Sequence, residues 1–241
     1  EMGIDPAKDL QLKWGLFGGE GSTESMRNEL NRVWGIFSTE NYGMSELIGP
    51  GVSGECLALK GMHISEDHFI PEIIDPETGE VLGPGQVGEL VITTITKEAL
   101  PIIRYRTKDI TSLNYEKCDC GRTTVRMAKI QGRSDDMLIL GGVNVFPSQI
   151  EDVLLSTEGV GPHYQIKVYK KAHLDKIEVD VELTDASYLE SYAKLESLNQ
   201  HVRNRLRTVL GIDAKVNLVQ PASLPRFEGK ARRVIDLRKE D

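Results

Sequence analysis

The run Gly132-Arg133-Ser134-Asp135-Asp136, with Gly141-Gly142 a few residues on, constrains this chain more than any other stretch. A charged doublet after a Gly-Arg turn, then an apolar strand, then a Gly-Gly turn reads as a joint between two modules. A second loop of the same kind, Glu228-Gly229-Lys230-Ala231-Arg232-Arg233, lies near the end, where a glycine lets one lysine approach a ligand closely. Two such loops predict a reconfigurable active site, and they divide the chain into residues 1–132 and residues 133–241.

The first module opens with a strand, Lys13 to Phe17, that enters the turn Gly18-Gly19-Glu20-Gly21-Ser22. Ser22-Thr23-Glu24-Ser25 then starts a capped helix in which Met26, Leu30 and Val33 are spaced for one buried face. A second strand begins at Gly35-Ile36-Phe37 and runs into Asn41-Tyr42-Gly43-Met44-Ser45-Glu46. This is a β-α-β crossover, and ligands of open α/β sheets gather at the edge where its loops meet. From Glu55 to Leu113 short strands alternate with turns: His68–Ile74, Gly88–Thr94 and Ile102–Tyr105. An antiparallel sheet or distorted barrel is expected there.

In the second module Met137–Leu140 and Val143–Phe146 predict a hairpin around Gly141-Gly142, and Pro147 suits the first turn of a helix reaching Leu155. Tyr164–Tyr169 and Lys176–Leu183 read as strands, followed by a helix from Tyr188 to Leu210 with Leu189, Tyr192, Leu195, Leu198, Val202 and Leu206 on one face. Ala214–Leu218 and Val234–Leu237 complete a small α+β domain with its helices on one face of a sheet. The fold class is therefore α/β followed by α+β. With 39% hydrophobic side chains in 241 residues, both parts can bury a core.

Charge and apolar runs narrow the function classes. A net charge of −8, from 29 basic against 37 acidic side chains, argues against a nucleic-acid partner held by its phosphates. No apolar run approaches the roughly 18 to 20 residues of a membrane span, and Glu1-Met2-Gly3 does not open a signal peptide. A cytoplasmic protein with no membrane partner is expected. Ile4 to Leu10 reads like a connection inside a domain, so the chain is expected to be part of a longer protein.

Within Asn41-Tyr42-Gly43-Met44-Ser45-Glu46 stand a flat aromatic, a glycine, a hydroxyl and a carboxylate. That set suits a nucleotide and its magnesium: Tyr42 stacking on the base, Ser45 on a phosphate oxygen, Glu46 on the metal. An ordinary strand-to-loop turn has the same look. Asp109, ending Tyr105-Arg106-Thr107-Lys108-Asp109, is placed either to accept both hydroxyls of a ribose or to sit solvated in a turn.

Taken in order, several segments resemble the later core motifs of the adenylate-forming acyl-CoA synthetases, and among them the phenylacetate-CoA ligases. They are Gly88-Glu89-Leu90-Val91 through Asp109, Gly132 to Asp136, Asn144-Val145-Phe146-Pro147-Ser148-Gln149-Ile150-Glu151, and Gly229-Lys230. The resemblance covers essentially the whole chain. It implies an enzyme that joins a carboxylic acid to Mg-ATP as an acyl-adenylate, then turns its small domain so that the CoA thiol attacks. Gly18, Gly19 and Glu20 match the loop lining the adenine pocket; Asp109 and Arg133 match the ribose contacts. Lys230 matches the lysine that meets the substrate carboxylate and α-phosphate, where fixed positive charge opposes developing negative charge. Asp135 matches the hinge residue, with Asp136 a solvated neighbour. Gly141 and Gly142 match the loop that leaves room for the pantetheine arm. Ile139 stands where many members of the wider superfamily have a lysine. Family members are often dimers, which makes a homodimer the implied assembly.

Two further expectations concern the cysteines and what is missing. Cys118-Asp119-Cys120-Gly121 places two thiols one residue apart, and Cys56 with His63 can approach from neighbouring strands to complete a Cys3His zinc site. Three free thiols are the alternative, since Cys-x-Cys is not the usual spacer. The family's Ser/Thr/Gly-rich phosphate loop has no counterpart here, because Glu20-Gly21-Ser22-Thr23 is too short. The chain is thus expected to be the second half of a ligase, making no acyl-CoA alone but keeping weak affinity for adenosine nucleotides. Two other functions fit the same residues: adenylation with transfer to a deazaflavin cofactor or a carrier protein, and a non-catalytic nucleotide-binding module.

Overall fold

The computed structural model describes residues 3–19, 22, 24–171, 174–226 and 233–239, and the chain falls into two compact units, Glu1–Asp135 and Asp136–Asp241. In the first unit a short helix α1 (Pro6–Asp9) precedes β1 (Trp14–Phe17), α2 (Glu24–Trp34) and β2 (Phe37–Met44), and β1 pairs with β2 in parallel from Trp14↔Phe37 to Phe17↔Glu40. The expected crossover is present. Its helix, however, buries no apolar stripe: Met26 is exposed and Leu30 and Val33 are half-buried. The inward-facing contact is made instead by Arg27, which pairs with Glu40 on β2 and with Glu55 at the end of the next strand.

That strand is β3 (Gly49–Glu55), followed by β4 (Met62–Ile64), β5 (Phe69–Ile74), β6 (Gly88–Thr94), β7 (Tyr105–Thr111), β8 (Leu113–Asn114), β9 (Arg126–Met127) and β10 (Gly132–Arg133). They form two open sheets, ordered β1-β2-β3-β4-β9-β8 and β10-β7-β6-β5, with every contact after β1–β2 antiparallel. No barrel closes among the described residues, because β5 and β10 each end their sheet with one neighbour. The edge strand β1 leaves Trp14 and Leu16 65% and 71% exposed. The core lies between the sheets' apolar faces: Val52, Ile64, Phe69, Ile73, Leu90, Ile92, Leu113 and Met127 are all buried.

Two sequence expectations shift here. The strand expected over Ile102–Tyr105 starts at Tyr105, because Leu100 and Arg104 take left-handed backbone angles and Ile102 is tied back to Thr94. His68 sits in the turn before β5, its Nδ1 2.7 Å from the Thr96 hydroxyl.

The second unit begins with the hairpin β11 (Leu138–Leu140) and β12 (Val143–Val145), then α3 (Pro147–Leu155), β13 (Val160–Lys171), β14 (Leu174–Leu183), α4 (Tyr192–Leu210), β15 (Lys215–Val219) and β16 (Val234–Asp236). Pro147 opens α3 where its missing N–H costs nothing, and the Phe146 N–H is donated to Gln149 Oε1 at 2.9 Å, half of a capping box. The other end of α3 is met by Arg205 of α4, which donates to the Ser156 carbonyl at 3.0 Å and to the Thr157 hydroxyl at 2.8 Å. A cation suits that terminus because the last carbonyls point at it.

The four-stranded sheet runs β15-β14-β13-β16, antiparallel only between β13 and β14. Alternation along β13 and β14 sends Ile166, Val168, Ile177, Val179 and Val181 inward against Ile150, Leu154, Val202 and Leu206 of the helices. The expected helix from Tyr188 breaks at Ser191, whose backbone is extended, into a 3-10 turn (Ala186–Glu190) and α4. Of its expected apolar face only Val202 and Leu206 are fully buried, and Tyr192 is 79% exposed, since the first turns overhang the end of the sheet's core.

Candidate functional site

The polar groups of the first unit are gathered by strand register within one sheet and by a contact between the two sheets. Tyr42 of β2 and Asp109 of β7 are both buried, and the phenol donates to Asp109 Oδ2 at 2.6 Å. Burial, and then the Asp109 charge, push the Tyr42 phenol well above its ordinary value, so it stays the donor. Asp109 lies directly opposite Arg133 across β7 and β10, with Arg133 Nη1 3.8 Å from Asp109 Oδ1. The same guanidinium holds Asp135 with Nε and Nη2 at 2.9 and 3.1 Å. This contact keeps the Asp135 carboxyl below the usual carboxylate range. Tyr42, Asp109, Arg133 and Asp135 thus form one connected chain of polar contacts.

The loops beside this chain are set by close backbone approaches. The register of β2 and β3 shifts between Tyr42 and Gly43, and a Cβ built on Gly43 would stand 1.7 Å from the Gly49 carbonyl, so only glycine fits. Beyond it Ser45 and Glu46 lie exposed on the turn that joins the two strands. Gly18 packs on Asn41, whose side-chain amide donates to the Phe17 carbonyl at 3.0 Å. Gly19 follows with φ +87°. Glu20 lies outside the described residues.

Charged residues that the motifs did not single out hold these segments. Glu89 of β6 is fully buried and takes Arg106 in a two-pronged pair at 3.0 and 2.7 Å, together with the Lys108 N–H and the Ser134 hydroxyl at 3.3 Å each. Burial alone would raise its pKa; Arg106 overrides that and brings it below the ordinary value. One acid therefore braces the strand carrying Asp109 and the residue after Arg133. A glutamate inside the apolar run Gly-Glu-Leu-Val-Ile was its sequence signal. Likewise Glu55 joins Arg27 at 2.9 Å and the Glu40 N–H at 2.7 Å, next to Asn41.

In the second unit Gly141 and Gly142 form the hairpin tip with φ of +59° and +84°, the pair of left-handed angles that a two-residue turn of this hand demands. Asp175 accepts from the Gly141 N–H at 3.3 Å, and Arg238 donates to the Ile139 carbonyl at 2.8 Å. Ile139 itself is exposed. Lys230 lies outside the described residues, within 227–232, but both flanks of that segment are fixed. Glu182, buried on β14, accepts from the Ala222 and Leu224 N–H groups at 3.0 and 2.7 Å and from Arg226 at 2.8 Å through each oxygen. Arg226, with the two amides, holds the Glu182 carboxyl down at about 2. On the far flank Arg233 pairs with Glu151 and donates to the Tyr164 hydroxyl at 2.8 Å.

Cys56, His63, Cys118 and Cys120 of the first unit converge as one cluster, all four donor atoms lying within 4.8 Å of one another.

Residues 142–238 match the family model described as the AMP-binding enzyme C-terminal domain. Over 99% of its length the chain is 47% identical to the phenylacetate-coenzyme A ligase of Thermus thermophilus and 47% identical to that of Escherichia coli. It spans only 57% and 54% of those proteins, about half of each. Among solved structures, 2-hydroxyisobutyryl-CoA ligase in its post-adenylation state, holding an acyl-AMP, is 30% identical with a TM-score of 0.86 over 98% of this chain and 51% of that one. The same ligase in its thioesterification state, with acyl-AMP and CoA, scores 0.52 at like coverage, 98% and 50%.

Proposed function

Because the chain resembles the C-terminal half of the phenylacetate-coenzyme A ligases along nearly its whole length, we propose that it is the later half of an ATP-dependent acid–thiol ligase. The reaction is that of an arylacetic acid, phenylacetate first, with ATP and coenzyme A, giving the CoA thioester, AMP and pyrophosphate. The observation that supports the reading is the Tyr42–Asp109–Arg133 chain, an aromatic ring, an acid and a guanidinium joined by polar contacts, the residue types a nucleoside site uses. A carboxylate accepts several donors at once, so Asp109 can hold a ribose as well as the phenol. Glu46, exposed on its turn beside Ser45, would hold magnesium, whose charge neutralises phosphate oxygens. Gly18, Gly19 and Glu20 would border the adenine, with Asn41, Tyr42 and Gly43 opposite.

Lys230 and the magnesium-holding Glu46 are the catalytic residues of this proposal, the Lys230 ammonium set against the charge that develops as the carboxylate attacks the α-phosphate. The segment that carries it is held at both flanks, by Glu182 and by Glu151 with Tyr164. Asp135 is the hinge between a large-domain portion, 1–132, and a mobile small domain, 133–241. Gly141 and Gly142 would admit the pantetheine arm in the second half-reaction. The cofactors are ATP or AMP, magnesium and coenzyme A, with zinc at the cysteine cluster standing apart from the chemistry. A cytoplasmic homodimer acting on small molecules, without nucleic-acid or membrane partners and serving phenylacetate breakdown, completes the proposal.

The test is Lys230→Ala in the full-length protein carrying this sequence, read by phenylacetate-dependent pyrophosphate exchange. A fall of about 10²- to 10³-fold is expected, with thioester formation from supplied phenylacetyl-adenylate retained. Undiminished exchange would remove Lys230 from the mechanism. Turnover by the 241-residue chain alone would defeat the proposal that it is half of an enzyme.

A further inference from the structure

Between Asn114 and Thr123 every residue is exposed except Cys118, so this loop cannot be held by apolar burial. It is nevertheless tightly organised: the Cys118 N–H bonds the Arg122 carbonyl at 3.0 Å and the Gly121 N–H bonds the Cys118 carbonyl at 2.9 Å. What it faces is the end of the β3–β4 hairpin. Cys56 follows β3 directly, His63 is the centre of β4, and β4 pairs with β9 through His63↔Arg126. Sheet pairing therefore delivers two donors to the place where the loop supplies two more.

Two of the donor spacings match a metal's coordination shell, and all four donor atoms lie within 4.8 Å of one another. A tetrahedral zinc with Zn–S of about 2.3 Å and Zn–N of about 2.05 Å sets neighbouring sulfurs about 3.8 Å apart, and sulfur and nitrogen about 3.5 Å apart. Here Cys56 Sγ stands 3.7 Å from Cys118 Sγ, and Cys120 Sγ stands 3.5 Å from His63 Nε2. The other imidazole nitrogen, Nδ1, is 2.9 Å from the Thr124 hydroxyl. With Nδ1–H donating to Thr124, Nε2 presents its lone pair to the thiols, the outer contact that metal-bound histidines ordinarily have. Three thiolates on a divalent zinc leave one net negative charge. Lys60, paired with Asp119 at 2.7 Å, and Arg126, which donates to the Lys60 and Glu116 carbonyls at 2.7 and 3.2 Å, put cations beside it.

We infer that Cys56, His63, Cys118 and Cys120 form a structural zinc site that staples the 117–122 loop to the β3–β4 hairpin. Four protein donors close the shell and leave no position for a substrate, so the metal serves the fold and not the reaction. Tyr42, Asp109 and Arg133 contribute nothing to it, and the inference stands or falls apart from the ligase reading.

Metal analysis of the 241-residue chain, purified under reducing conditions with zinc available, should give one zinc per chain. A mercurial thiol reagent should release it in step with modification of the cysteines. Replacement by cobalt(II) should produce the strong visible absorption of a tetrahedral thiolate site. Cys120→Ser, at an exposed position that spares the core, should lower zinc retention about tenfold or more against a chelator. His63→Cys should keep the metal and shift the cobalt spectrum toward four thiolates, while His68→Ala should change nothing. Three freely reactive thiols with no bound metal would overturn the inference. So would a Cys56–Cys118 disulfide in the freshly reduced protein, or zinc held equally well by Cys120→Ser and His63→Ala.

Discussion

The two units hold their candidate ligand groups in opposite ways. In the first, Asp109 and Arg133 project from the paired strands β7 and β10 and Tyr42 reaches Asp109 from β2 of the other sheet, with Glu89 buried as a brace for the strand of Asp109 and for Ser134. In the second, Glu182 grips Arg226 and Glu151 grips Arg233, on either side of segment 227–232, while Asp175 and Arg238 bond the backbone of the Gly141-Gly142 hairpin. A site on strands is preorganised, since its geometry comes with the sheet. Groups on braced loops can be delivered and withdrawn without disturbing a core.

The largest effect that would break this contrast is at Glu89. Glu89→Gln leaves Arg106 without its counter-charge and should cost the first unit about 2 to 3 kcal/mol in denaturant unfolding, followed by tryptophan fluorescence. Both tryptophans, Trp14 and Trp34, lie in that unit. If stability is unchanged, the brace is not a brace.

Acid should act next, and on the other unit. The Glu182 carboxyl sits at about 2 in the fold against an ordinary 4.5, so its stabilising contribution is complete above about 4.5 and drains away as pH falls toward about 2. Amide hydrogen exchange of β13 and β14 from about pH 5 to about pH 2, corrected for the intrinsic exchange rate, should show protection falling with acid. Arg226→Ala should flatten the dependence; a profile identical to wild type would show that the pair does not anchor the flank.

Gly142→Ala places a side chain at φ +84° and should cost about 1 to 2 kcal/mol locally. In the full-length enzyme it should slow thioester formation while sparing adenylation. Equal slowing of both steps would deny the hairpin a separate role. Smallest of all, Tyr42→Phe removes one hydrogen bond and keeps the ring. It should lower stability by about 1 kcal/mol and weaken AMP binding, measured by calorimetry, less than about tenfold. A larger loss of affinity would mean that the phenol contacts the nucleotide itself.

What the sequence shows well is local. The β1-α2-β2 crossover, the Gly141-Gly142 hairpin and the helix opened by Pro147 all follow from turn chemistry and periodicity within a few residues, and the structure has them. The braces escape such a reading because their partners are remote: Glu182 meets Arg226 44 residues on, and Arg27 meets Glu55 28 residues on. Nothing near an acid in an apolar strand announces its cation. Helix faces mislead for a related reason, since spacing tells which residues share a side but not whether anything covers it. Met26 and Tyr192 both sit on a regular apolar stripe and both face solvent.

The first strand carries a practical consequence. Among the described residues β1 is the outermost member of its sheet and presents unpaired main-chain groups on one side, beside the largely exposed side chains of Trp14 and Leu16. Such a seam invites edge-to-edge pairing between molecules. Light scattering of the 241-residue chain should therefore rise as it is concentrated, and less so with Leu16→Lys.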